Sequence, residues 1–521
     1  MKLATVRLFC FACLHGQTLS AISTSNQGLV DENIHPSYRN AFHIFNAIHS
    51  SMRQWGSSLN HNGMSFFPAT VPAGTELFHG TGTSTPIEGM EWLAFEPEHA
   101  QQFAHGRRGR GAPSPPHRFQ KPIGLRDNRP LPPSPPDDQA SGFLHTYRAK
   151  RDLNLLYIDG MSAGKTQNGT LDTQDCILLD GSIPHGGFWE VERAQGLCNI
   201  SRDEWDGRVD GFLRMEAGFE IILCHFERDL EVKSINRAYG ECQNCEAGDT
   251  GFGGNLKYLR AVADRYHGIG GGRVRVNYEK MVTAFALHED IFRPGESGPR
   301  LTEITDASRD LLRKQVGQMI LSEPSPVKHN GYDWQAIADM IVTRYSSRLQ
   351  YLTMPDVMNN EQRLNTEINA ILSSFIDYDN RSQINETAQC ASRYMAKTGA
   401  PSSLAAYAIT FVSHYICHKL VSTQYGDTAD NHEAKKQILR GLIEKLNWTT
   451  WKECGTCDYD KICSIPIWPF GSEEDWITPT CRNATTIREQ HGYWGIGGPG
   501  GGHHGPPPAP TNTVLGRGVA V

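Results

Sequence analysis

Four side chains far apart in this sequence could together break a bond between a flat cationic ring and a sugar. His79 lies in Leu77-Phe78-His79-Gly80-Thr81, and Trp92 and Phe103 follow with ten residues between them. Glu220 then leads the apolar run Ile221-Ile222-Leu223, shortly after Asp210-Gly211. Breaking such a bond builds positive charge on the sugar. A fixed carboxylate stabilises that state, which makes Glu220 the candidate catalytic residue. Aromatic faces attract a cationic ring, so Trp92 and Phe103 are the candidate stacking pair. His79 can hydrogen-bond sugar hydroxyls, and Gly80, lacking a side chain, lets backbone groups approach the ring's substituent. Taken singly, each has a plainer reading: a satisfied core histidine, packed aromatics, a strand-end glutamate in solvent.

Order and spacing together resemble the ADP-ribosyltransferase fold, in the class marked by His, a tyrosine pair spaced by ten and Glu. Diphtheria-type toxins and poly-ADP-ribose polymerases belong to that class. Phe78-His79-Gly80-Thr81 is similar to its Tyr-His-Gly-Thr, and Trp92 and Phe103 stand where it has two tyrosines. The resemblance covers about residues 75–236. It implies NAD as substrate, with His79, Gly80, Trp92 and Phe103 around nicotinamide and its ribose and Glu220 catalytic. It also implies a protein acceptor, or water, for the ADP-ribose. Glu216 is a rival for the catalytic position, being four residues earlier on the same expected strand face. Gly218 stands where arginine-specific transferases carry Glu or Gln, which argues against transfer to arginine.

The elements that must position these residues read as α+β. Strands are expected at Thr75–His79, Trp92–Phe95, Leu144–Arg148, Leu153–Ile158, Arg208–Arg214, Glu220–Phe226 and Leu230–Ile235, with few crossover helices among them. Pro97 opens a short helix over Glu98–Phe103. Residues 22–70 carry one helical run, Tyr38 to Trp55. The Arg/Pro-rich segment 106–142 reads as a loop. An ADP-ribosyltransferase-like split antiparallel sheet domain over 22–295 is therefore expected, then a linker over 296–332. A helical, Cys-braced domain with a Cys/Trp-rich segment follows over 333–486, and a Gly/Pro/His tail over 487–521.

The formal net charge is -7, which argues against nucleic acid as a partner. Residues 1–21 read as a secretory signal, with Lys2 and Arg7 ahead of a short apolar core. Of 13 cysteines, removing Cys10 and Cys13 leaves 11, an odd number, so at least one lacks a partner in this chain. Export favours disulfides, including at Cys242-x-x-Cys245 and Cys454-x-x-Cys457, over zinc. Six Asn-x-Ser/Thr sequons agree with a secreted glycoprotein.

Other motifs are weaker. Asp159 to Thr166 is similar to a phosphate loop, but Asp159 replaces the first glycine and no helix pattern follows. His414 and His418 share a helix face without an evident third ligand, and no metal is expected. No Gly-x-Ser-x-Gly is present. Leu404–Val421 has near-spanning length, but its histidines and lysine make it a bundle helix, so no membrane span is expected. Two other classes compete with an NAD-using enzyme. One is a secreted recognition protein that keeps the sheet as scaffold, and the other is a disulfide-rich surface protein.

Overall fold

The computed structural model describes residues 39–104, 142–183, 188–238, 256–322, 332–394, 403–490 and 492–495. The expected signal, the Arg/Pro loop, Cys242 and Cys245, and the chain beyond 495 lie outside these residues. The architecture is mixed α+β, a curled sheet followed by a helical region.

The sheet uses β1 (Ser65–Val71), β2 (Glu76–Thr81), β3 (Glu91–Ala94), β4 (Phe143–Ala149) and β5 (Leu153–Ile158). It continues with β6 (Gly211–Glu216), β7 (Gly218–Leu223), β8 (Leu230–Arg237), β9 (Arg275–Val276) and β10 (Val282–Thr283). Their order is β10-β1-β5-β6-β7-β3-β2-β4-β8, with β9 also on β1. β5 and β6 are parallel, and the helix Glu190–Asp203 lies in the connection between them. Every residue of β6 and β7 is buried, as expected of strands covered on both faces.

Several expectations needed correction. β1 lies in residues 22–70, where no strand was expected, because its pattern Ser-Phe-Phe-Pro-Ala-Thr-Val does not alternate. The run Tyr38–Trp55 is two helices, Ala41–Ser50 and Gln54–Leu59. The expected linker contains the helix Asp306–Leu321, capped by the Thr305 hydroxyl accepting from Ser308 N–H. The tail does not begin at 487: Ala484–Glu489 is helical and Trp494 is buried, its indole donating to the Phe470 carbonyl at 2.8 Å.

The helical region comprises Trp334–Leu352, Glu361–Leu372, Gln383–Ala391, Leu404–Ser422 and His432–Leu446. Each starts with a side-chain cap from Asp333, Asn360, Ser382, Ser403 or Asn431. The helix Ala41–Ser50 buries Ala41, Ile44, Phe45 and Ile48 at the spacing of one helix face. Phe42 meets the rings of Phe411 and Tyr415 at 5.7 and 4.9 Å. An N-terminal helix therefore belongs to the helical layer, and a single apolar core joins it to the sheet. The helix Leu404–Ser422 is a buried bundle element, and no helix among the described residues is long and apolar enough to cross a membrane.

Disulfides link Cys198–Cys224, Cys390–Cys417, Cys454–Cys463 and Cys457–Cys481, with Cys176 a thiol. Cys454 and Cys457 thus pair with other cysteines, not with each other. The Cys198–Cys224 bridge pins the Glu190–Asp203 helix to the end of β7. Peptide mapping without reduction should recover this link. Replacing both residues with alanine should cost about 2–4 kcal/mol by denaturant titration, as expected for opening a loop of this size. Mapping that finds Cys198 alkylated in folded, unreduced protein would contradict the pairing.

Candidate functional site

The site is built on the β6–β7 hairpin. Arg214 opposes Glu220 and Glu216 opposes Gly218, so all three charged residues share one face. Glu216 shares that face from across the hairpin, not from earlier on the same strand. On the other side of β7, Ala94 opposes Glu220 and Trp92 opposes Ile222, which adds Trp92 to the row. The chain turns at Ala217 into Gly218, whose φ is +107°. A Cβ there would lie 2.6 Å from the Tyr266 ring and 2.8 Å from His99 Nδ1, so glycine is needed for both reasons. Gln54 braces the turn, donating to the Glu216 carbonyl at 2.8 Å and accepting from Gly218 N–H at 2.9 Å.

Arg214 is fully buried. Its Nη2 donates to Glu190 Oε1 and to Glu220 Oε1, and its Nη1 donates to Gln174 Oε1 at 2.8 Å. Lys165 Nζ donates to Glu216 Oε2 at 2.6 Å and lies 3.5 Å from Glu190 Oε2. The Lys165 ammonium also stands 5.2 Å from the centre of the Trp468 ring. Trp92 Nε1 donates to Glu190 Oε1 at 3.3 Å. Three carboxylates and two cations thus form one buried network touched by two tryptophans.

The other expected residues are placed differently. β2 pairs with β4 over six residues but with β3 at one position only, Phe78 opposite Ala94. Beyond that pair the ladder forks, and His79 Nδ1 reaches the Trp92 carbonyl at 2.7 Å. A carbonyl only accepts, so Nδ1 carries the proton. Alternation sets His79 on the side opposite Phe78, and therefore opposite Glu220; its ring meets His145 at 6.1 Å and Phe226 at 5.9 Å. Gly80 permits close packing of the helix Pro97–Gln101, since a Cβ would fall 1.8 Å from the Ala100 carbonyl oxygen. Phe103, half-buried just past that helix, has its ring 6.0 Å from that of His99. The fold therefore brings Trp92 and Glu220 onto one face and holds His79 to Trp92 across the fork with its ring turned the other way.

A family described as the YPL277C N-terminal domain matches residues 31–142 and 124–241 of this chain. The matched stretch contains the fork, the β6–β7 hairpin and all the charged residues of the network. The chain is similar to the uncharacterized protein YOR389W of Saccharomyces cerevisiae, 26% identical over 536 aligned positions covering 84% of this chain and 83% of that protein. It is also similar to the uncharacterized protein YPL277C of the same yeast, 36% identical over 208 positions covering 37% of this chain and 42% of that one. No solved structure matches.

Sequence reading missed Lys165, Glu190, Arg214 and Trp468. Lys165 lay in the dismissed phosphate-loop pattern. Arg214 and Glu216 alternate with apolar residues, which normally marks a strand with one solvent face. Nothing local reveals that helix Glu190–Asp203 covers that face.

The network divides its carboxylates. Burial opposes ionisation of Glu190, but Arg214 and Lys165 outweigh it and hold the carboxyl below its usual range. Burial pushes Glu216 up to about 7; Lys165 pulls it down and the Glu220 charge adds to the rise. Burial brings His99 down to about 4, so it is neutral near pH 7. Lys165 stays protonated: burial lowers its pKa, but the carboxylates around it raise it further.

A carboxyl with a raised folded pKa favours folding while protonated, and that contribution is lost as pH rises from its unfolded value through about 7. Chemical unfolding of the wild type and Glu216→Gln at pH 5 and pH 8 should show the variant gaining relative stability at the higher pH. A difference that does not change with pH would refute the raised Glu216 pKa. Comparing the two proteins cancels the titrating groups that do not interact with Glu216. Separately, Arg214→Met strands two buried carboxylates and should cost about 3–5 kcal/mol. A loss under about 1 kcal/mol, the range of an exposed pair, would mean the network is solvated.

Proposed function

We propose that the chain is a secreted, ADP-ribosyltransferase-like protein that consumes NAD, passing ADP-ribose to a protein acceptor or to water. The observation that carries this reading is the shared face of Trp92 and Glu220, on adjoining strands beside a fork that His79 crosses. The four disulfides among the described residues fit an oxidising compartment.

In this reading the Trp92 face stacks on nicotinamide, while Phe103 lies by His99 and Gly80 is packed under the helix Pro97–Gln101, so the contacts the resemblance implies for these two are not assigned. As the nicotinamide–ribose bond lengthens, positive charge spreads over the sugar ring. Glu220, held in one orientation by Arg214, accepts the ribose 2-hydroxyl hydrogen bond and stabilises that charge without reorganising. His79, its ring on the other side of the sheet, commits its Nδ1 proton to the Trp92 carbonyl. It thereby fixes the backbone that carries the stacking tryptophan.

A second reading rests on a specific observation. Glu220 Oε1 is already bonded to Arg214, and the His79 ring faces His145 and Phe226. A fully paired network is also what a structural core contains, and on that reading the sheet is the scaffold of a secreted recognition protein.

The two separate in one assay. Purified full-length protein incubated with NAD should release nicotinamide, measured by chromatography. Glu220→Gln should slow release about 10²–10³-fold, the scale of losing one electrostatic stabiliser. Glu216→Gln should retain most nicotinamide release to water. No release and no NAD binding by calorimetry would leave the scaffold reading standing.

A further inference from the structure

Away from the fork, a cavity of about 270 Å³ opens among residues 59–64, Asp159–Gly160, Phe285, Phe292 and the loop Arg293–Pro299. His61 stands in its wall, 2% exposed. Its Nδ1 lies 2.5 Å from Asn62 Oδ1. The Asn62 amide nitrogen donates to the carbonyls of Asn168 at 2.9 Å and Pro299 at 3.1 Å. Only the nitrogen can face two carbonyls, so the amide oxygen faces His61 and Nδ1 must carry the proton. His61 Nε2 therefore presents a lone pair. Two hydroxyls approach it, Tyr493 at 2.8 Å and Ser297 Oγ at 3.4 Å. Burial, partly offset by the Asn62 hydrogen bond, brings the imidazole down to about 4, so the ring is neutral at physiological pH.

Ser297 is exposed, in Gly295-Glu296-Ser297-Gly298 at the cavity mouth. A nucleophilic hydroxyl, a base within loose hydrogen-bond reach and a third group that fixes the base's tautomer are the arrangement that acyl transfer needs, and resting-state distances are often long. Asn62 fills the orienting role that an amide plays in cysteine–histidine–asparagine proteases.

We propose that Ser297, His61 and Asn62 form a second site, one that transfers or hydrolyses small acyl esters. The cavity is slightly smaller than most ligand pockets, which run about 300–1,000 Å³, and Leu59, Met64, Phe285 and Phe292 contribute apolar wall. A short acyl chain suits it. Ser297 Oγ bonds to the ester carbonyl carbon while its proton passes to His61 Nε2. The ester C–O bond then breaks and the departing alkoxide takes that proton. Water attacks the acyl-serine with the same histidine as base, releasing the acid and restoring the hydroxyl. Tyr493 competes for Nε2, so its hydroxyl restrains the site. None of this depends on NAD chemistry at the fork.

The test uses full-length protein and a fluorophosphonate probe, with the adduct located by peptide mass spectrometry. One adduct on Ser297 is expected, absent in Ser297→Ala and slowed in His61→Gln. Tyr493→Phe should label faster than wild type, a direction that a destabilised fold does not produce at a single residue. Glu220→Gln should label as wild type. The proposal is overturned if folded wild-type protein and Tyr493→Phe both leave Ser297 unmodified. It is also overturned if Ser297 labels equally fast in a folded His61→Gln variant.

Discussion

A guanidinium with no exposed surface sets the terms for much of this fold. Taking Arg214 out of water costs several kcal/mol, and only well-placed opposite charge offsets it. Glu220 is supplied by the paired strand, but Glu190 comes from a helix that the chain reaches only after leaving the sheet at β5. Docking that helix is therefore an electrostatic requirement as well as an apolar one. The bridge from Cys198 to Cys224 makes the same junction covalent. Trp92 is drawn in as well, since its indole N–H finds its acceptor on Glu190.

The short β2–β3 pairing beside this network follows from the sheet itself. β3 is four residues long and keeps a full ladder with β7, but it meets β2 at one position. A ladder that stops after one pair leaves unpaired backbone on both strands, which must find other partners. The His79 side chain supplies one of these by meeting the Trp92 carbonyl. On the β2 side, the helix Pro97–Gln101 packs so closely over Gly80 that no side chain fits there. Past the single pair the two strands are thus joined by a side chain of β2, while the Gly80 backbone is packed under the helix.

Most strands were legible because their apolar runs are bounded by Gly, Pro and Asp. The site was half legible. Trp92 and Glu220 could be expected near each other, since both lead strands with a strong pattern. The turn of the His79 ring could not, because it depends on where a ladder ends. β1 was missed because Phe66, Phe67, Ala69 and Val71 lie buried without simple alternation. Lys165, Glu190 and Arg214 are separated by long stretches of chain, and their pairing is a property of the docked helix. The helix Ala41–Ser50 was visible as a helix, but its place in the layer with Phe411 and Tyr415 was not. Local pattern records burial, not the partner that provides it.

On the proposed reading, the divided carboxylates have a chemical sense. Glu220 is orientated by a permanent cation, which suits a group that must remain in place while charge develops next to it. Glu216, raised to about 7 mainly by burial, can exchange a proton near neutral pH. Nicotinamide leaves as a neutral molecule and needs no proton, so bond breaking has no use for Glu216. An acceptor hydroxyl or amine must lose a proton when it attacks, and a carboxyl that titrates near neutrality serves that step. The two glutamates would then act on opposite sides of the same bond, Glu220 held by Arg214 and Glu216 by Lys165. Such a division assigns Glu216 to the acceptor and leaves hydrolysis, where water is plentiful, less dependent on it.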